Sequence, residues 1–182
     1  MSKSKAKKKK KNNNVIKKEV TINKKQMKSL NKYYTIAEVM LAVSPFIGLA
    51  YISMGAAKLG LPMQEVVQTD PKLTVMFLVS MINPFIAYLL NFVQKKMQDG
   101  DAKYAVTNIV MFIVVEVLLQ NLLYVILFVF ILYKTLKIFN ITIRQSFEEK
   151  IKDGFLMTIS GSLVVMFLAG ICLFANIRIN MF

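Results

Sequence analysis

A chain of 182 residues, 55% of them hydrophobic, carries 24 lysines and arginines against 10 acids, with no histidine. The lack of histidine removes imidazole from any metal site or Ser-His-Asp arrangement, and the lone Cys172 leaves no disulfide or thiolate cluster within one chain. Thirteen lysines against one acid, Glu19, fall in residues 1–37, so the basic character belongs to one end, and the remainder is too apolar to clothe a soluble domain of this size.

Residues 1–35 read as a lysine-rich cytoplasmic tail. Residues 1–14, with the run Lys7, Lys8, Lys9, Lys10 and Lys11 followed by three asparagines, repel one another and offer nothing to bury, which predicts disorder. From Val15 to Tyr34, apolar residues recur at loosely helical spacing among lysines, as in a short amphipathic helix on the inner membrane surface.

Four apolar stretches follow, at residues 36–57, 73–94, 104–133 and 155–177, each long enough to span a hydrocarbon core. The expected fold is therefore all-α and polytopic: four transmembrane helices behind a disordered basic tail, with residues 36–182 as the membrane domain. The third stretch, at about 45 Å if helical, reads as one overlong tilted helix rather than two. Pro45 and Pro84 lie in the matching segments Ser44-Pro45-Phe46-Ile47 and Asn83-Pro84-Phe85-Ile86. Each should kink its span and free a carbonyl one turn back, with Ser44 and Asn83 placed to help satisfy the backbone. The first span is expected to stay as an anchor, since no cleavage site followed by a soluble domain is present.

The tail's lysines place the N-terminus in the cytoplasm. Four crossings then put both termini inside, loop 95–103 inside and segment 134–153 outside. That last segment objects: it carries Lys134, Lys137, Arg144, Lys150 and Lys152, too many cations for an outer loop. Apolar residues at spacings of three and four give it an amphipathic character.

Glu116 is the main candidate functional residue, because a carboxylate near the membrane centre is costly and should be protonated, paired or facing water. Gln120, Asn108 and Tyr124 fall on its face of a single helix, with Asn121 just off the stripe. Asn83, Asn91 and Ser80 of the second span are its expected partners. Such a row either ties helices together or lines an ion path. Small residues in the fourth span, and Ser44, Gly48 and Gly55 in the first, suit close helix contact.

No P-loop, G-x-S-x-G or H-E-x-x-H motif occurs, and no cofactor or metal is expected. Lysine, asparagine and isoleucine usage fits an AT-rich bacterial genome. The reading is a non-enzymatic accessory or interaction subunit of a bacterial cell-membrane complex. Its expected partners are an anionic inner leaflet, touched by Lys7–Lys11, and a membrane protein or a second copy. With no aromatic residue before Tyr33, base stacking and hence nucleic acid are disfavoured. The alternative is an oligomeric pore or carrier with Glu116 in its path.

Overall fold

A computed structural model describes the side chains of residues 24–152, 154–179 and 181. The expectations of a disordered 1–14 and of lipid contact by Lys7–Lys11 fall outside these residues. The helices are α1 (Ser2–Leu59), α2 (Met63–Thr69), α3 (Pro71–Gln98), α4 (Ala102–Leu118), α5 (Leu122–Phe139), α6 (Ile143–Lys152) and α7 (Phe155–Met181), and no strand occurs among the described residues.

Local chemistry sets the boundaries. Asp70 caps α3, its carboxylate accepting from the amides of Lys72 and Leu73, with Pro71 in the first turn where its missing N–H costs nothing. Asp101 caps α4 by accepting from the Tyr104 amide. Between them Gly100 takes a φ of 101°, a conformation glycine adopts without strain. Thr142 and Gln145 cap α6 reciprocally, each side-chain oxygen accepting from the other's amide.

Four helices are long and apolar enough to cross a membrane: Lys24–Leu59, Pro71–Gln98, Leu122–Phe139 and Phe155–Ile179. Their outward faces are apolar too. Phe46, Phe85, Leu122, Leu156, Phe167 and Phe174 are each more than 60% exposed, a surface suited to hydrocarbon and not to water. The chain is a multi-pass helical membrane protein.

The third apolar stretch is not one helix, however. The chain breaks at Gln120, which adopts a left-handed φ of 61°, and returns antiparallel to itself, so that Phe112 and Phe128 meet across the hairpin at 5.7 Å. Each arm rises only about 25 Å, at the short end of what spans a hydrocarbon core. The arms are stable at that length because both bury one side in the bundle. Ala105, Ile109, Phe112, Val115, Phe128 and Ile131 are all in the core.

This extra leg moves the basic segment 134–153. Lys150 Nζ pairs with Asp101 at 2.8 Å, and Lys103 pairs with Glu149, so α6 packs on the α3–α4 turn. The two segments expected on opposite membrane faces share one end. Lys24 and Lys28 line a crevice with Met97, Gly100 and Phe139 at this same end, hereafter the basic end. The amphipathic piece is a helix as expected, but a separate one, beginning after α5 ends at Asn140 with a φ of 51°. The described part of the expected surface helix, residues 24–34, likewise differs: it runs unbroken into the first span, with Leu30 and Tyr34 fully buried.

α1 and α3 lie antiparallel and meet closely at Gly48, where an added methyl group would sit 2.7 Å from Ser80 Oγ. Neither Pro45 nor Pro84 ends its helix. α7 runs parallel to α4, joined near the basic end by Asn108 Nδ2 donating to the Thr158 carbonyl and near the far end by Asn176 donating to Gln120. Met181 therefore lies at the end of the bundle remote from Lys24.

Candidate functional site: a polar groove at the tip of a short hairpin

The hairpin is shorter than its neighbours: α4 and α5 have 17 and 18 residues, against 28 in α3. Its tip reaches α3 near Ser80 and Asn83, about 14 Å or more short of that helix's end at Pro71. Beyond the tip α1 and α3 continue without α5 between them. The space left is a groove of about 270 Å³ whose polar lining is Ser44, Ser80, Asn83, Asn121 and Tyr124.

Pro84 explains why polar residues gather here. It cannot donate to the carbonyl of Ser80, four residues back. Ser44 Oγ donates to that carbonyl from α1 at 2.9 Å, so the orphan is satisfied across the helix pair, as membrane burial requires. Ser80 Oγ turns back to the Phe77 carbonyl at 2.7 Å. Tyr124 reaches from the hairpin and donates its hydroxyl to the Met40 carbonyl at 3.1 Å, one turn before Pro45. Of the two residues expected to repair the backbone, Ser44 does so and Asn83 does not.

Asn83 is the exception in an otherwise satisfied wall. It is 2% exposed, and its carbonyl oxygen has no hydrogen-bond partner. The hydroxyl protons of Ser44, Ser80 and Tyr124 are committed to backbone carbonyls, so what these groups can offer an occupant is oxygen lone pairs. With the Asn83 oxygen, acceptor groups predominate in the groove wall, beside the amide N–H groups of Asn83 and Asn121. The groove opens past Ile47 and Tyr51, both more than half exposed, toward the lipid-facing side of α1.

The expected stripe of Glu116, Gln120, Asn108 and Tyr124 is dispersed by the break at Gln120. Asn108 ties α4 to α7: its amide nitrogen donates to the Tyr104 and Thr158 carbonyls, and its oxygen accepts from Ser162 Oγ at 2.8 Å. Gln120 accepts from Asn176. Tyr124 belongs to α5 and grips α1.

Glu116 is fully buried, but its partner is neither Asn83, Asn91 nor Ser80. Asn121, across the hairpin turn, donates to Glu116 Oε2 at 3.0 Å, and Oε1 is left without a partner. Asn91 instead donates to Glu38 Oε2 on α1 at 3.2 Å. The expected row had assumed helical phase carried through residue 120, and the turn destroys that phase.

Sequence reasoning missed Ser44, Ser80 and Asn121 as members of one site. The available signal was Pro84 itself, whose freed carbonyl needed a donor from somewhere. No group of three or more potential metal ligands occurs among the described residues. No protein-family model, curated protein or solved structure matches this chain.

Proposed function

We propose that this chain is a non-enzymatic interaction subunit of a bacterial cytoplasmic-membrane assembly, and that the groove receives a hydrogen-bond donor from a partner helix. The observation that carries this reading is the unpartnered Asn83 carbonyl oxygen, buried yet bordering a groove that opens toward lipid. An unsatisfied polar atom in hydrocarbon is costly. Acyl chains cannot relieve it, whereas a serine, threonine, asparagine or glutamine side chain of a neighbouring helix can. Two polar groups outside the groove support the reading as well, since Asn108 and Gln120 are spent on holding the chain's own helices together.

The lysine-rich N-terminus lies in the cytoplasm in this account, and α6 and the α3–α4 turn share the Lys24 end of the bundle. The positive-inside rule then holds for the basic segments 24–32, 95–103 and 134–152. The C-terminus emerges on the opposite face, the reverse of the expectation from four crossings.

A photo-crosslinking residue at Tyr51, beside the groove, tests the interaction in whole cells. The expected result is one discrete heavier adduct, which Asn83→Leu weakens several-fold while the same probe at Phe174 gives none. An adduct of twice the chain's mass identifies the partner as a second copy. Adducts to lipid alone would overturn the reading.

A second reading has one observation in its favour. Asn121 lines the groove and also hydrogen-bonds Glu116, which puts the buried acid one residue from an open polar surface. If the chain is a pore or carrier, purified protein carries ion flux in liposomes and Glu116→Gln abolishes it. Equal flux in the variant, or none in either, removes this alternative.

A further inference from the structure

At the basic end, α1 and α5 leave a crevice of about 250 Å³ walled by Gln26 and Ser29 on one side and Lys134 and Lys137 on the other. Lys134 is half-buried, its ammonium held over the rings of Tyr33 and Phe130 at 5.8 and 5.5 Å, and those rings meet edge to face at 4.9 Å. Lys137 lies over Tyr133. Among the described residues neither lysine is in an ion pair. Asp101, Glu148 and Glu149 pair with Lys150, Arg144 and Lys103 instead.

The two ammonium groups are therefore pre-positioned and outside any ion pair among the described residues. Rings fix the Lys134 head where a free lysine would sweep through solvent, and Gln26 and Ser29 add neutral donors to the same space. Two ammonium groups with hydroxyl and amide donors match the oxygens of a phosphate.

The surface leading away from the crevice decides what carries that phosphate. Ile126, Val129, Phe130 and Tyr133 are all exposed on α5 and recur at helical spacing, forming an apolar stripe that ends at Lys137. The uncharged run of α5 stops at Tyr133, so the lysines follow directly on the apolar surface, as cationic groups at a bilayer interface do. An anionic head against the crevice with acyl chains along the stripe satisfies both parts at once. We infer that Lys134, Lys137, Gln26 and Ser29 form a site for the phosphate headgroup of an anionic glycerophospholipid, distinct from diffuse attraction by the N-terminal lysines.

The test uses the full chain in a mild detergent, with native mass spectrometry after exchange against vesicles of phosphatidylglycerol or phosphatidylcholine. The wild type should retain phosphatidylglycerol and release phosphatidylcholine. Lys134→Gln with Lys137→Gln should lower retention roughly ten- to thirtyfold, from about one lysine–headgroup interaction lost per substitution. Lys58→Gln with Lys72→Gln, which carry the same charge change at the far end, should leave it unaltered. Circular dichroism of each variant checks that the helices persist. Unchanged retention in the Lys134/Lys137 variant, equal loss in the control pair, or displacement of the lipid by millimolar inorganic phosphate would each overturn the site.

Discussion

Pro84 and Ser44 form the clearest unit at the scale of single residues. The proline withdraws an amide from the Ser80 carbonyl, and the serine returns a hydroxyl to it from the next helix. A hydrogen bond whose loss leaves a buried carbonyl bare is worth about 1–3 kcal/mol. Ser44→Ala should therefore destabilise the protein by that order, but only while Pro84 is present. In a Pro84→Ala background the restored amide satisfies Ser80, and Ser44→Ala should cost little. A double-mutant cycle on thermal unfolding in detergent measures the difference, and equal losses in both backgrounds would contradict the assignment. The motif was visible in the sequence as a repeated Ser/Asn-Pro-Phe-Ile. What could not be read there was which polar residue repairs which backbone, because the donor comes from a helix brought alongside only by folding.

Glycine contacts follow the same division. Gly48 and Gly161 both sit where an added Cβ would come within 2.7 Å of a neighbour, Ser80 Oγ and Leu89 Cδ2 respectively, whereas Gly55 faces open space. Small residues in a membrane helix predict close approach somewhere along it. They do not say which of several glycines makes it. Gly48→Ala should lower thermal stability, because Ser80 is pinned to the Phe77 carbonyl and its neighbours. The flexible end of Leu89 can yield to Gly161→Ala, so that loss should be smaller, and Gly55→Ala should be silent. The same unfolding assay ranks all three, and a silent Gly48→Ala would argue against the close α1–α3 contact.

At the scale of elements, the hairpin is where sequence and structure part. Residues 104–133 contain no glycine or proline, the usual markers of a turn. The turn is made by Gln120 at positive φ, with Asn121 opening the next helix. A non-glycine residue in that conformation costs about 1–2 kcal/mol, which here is offset by the packing of both arms. Gln120→Gly should thus be at least as stable as Gln120→Ala, since glycine removes the strain. Gln120→Val should be the least stable of the three, because a branched Cβ tolerates the left-handed region poorly. A ranking with Val equal to Gly would be inconsistent with the turn. One signal of the hairpin did exist. The basic segment 134–153 violated the positive-inside rule for four crossings, and an added return leg removes the violation.

The whole molecule inherits its character from that leg. Because α4 and α5 go out and back, the basic segments 24–32, 95–103 and 134–152 gather at one end, while α7 leads the chain to the other. Because they are short, the outer part of the α1–α3 pair is left with a groove, and the polar atoms that Pro84 draws to this level border it. The all-helical membrane class, with four helices long and apolar enough to cross, could be read from hydropathy alone. The packing could not, since a hairpin and a single long helix have the same composition. Cysteine accessibility decides between them most directly. In a Cys172→Ala background, single cysteines at Lys152 and Met181, both exposed, are treated with a membrane-impermeant maleimide before and after the cytoplasmic face is opened. The hairpin predicts that Met181→Cys labels in intact cells and Lys152→Cys only after opening; the reverse pattern would contradict it.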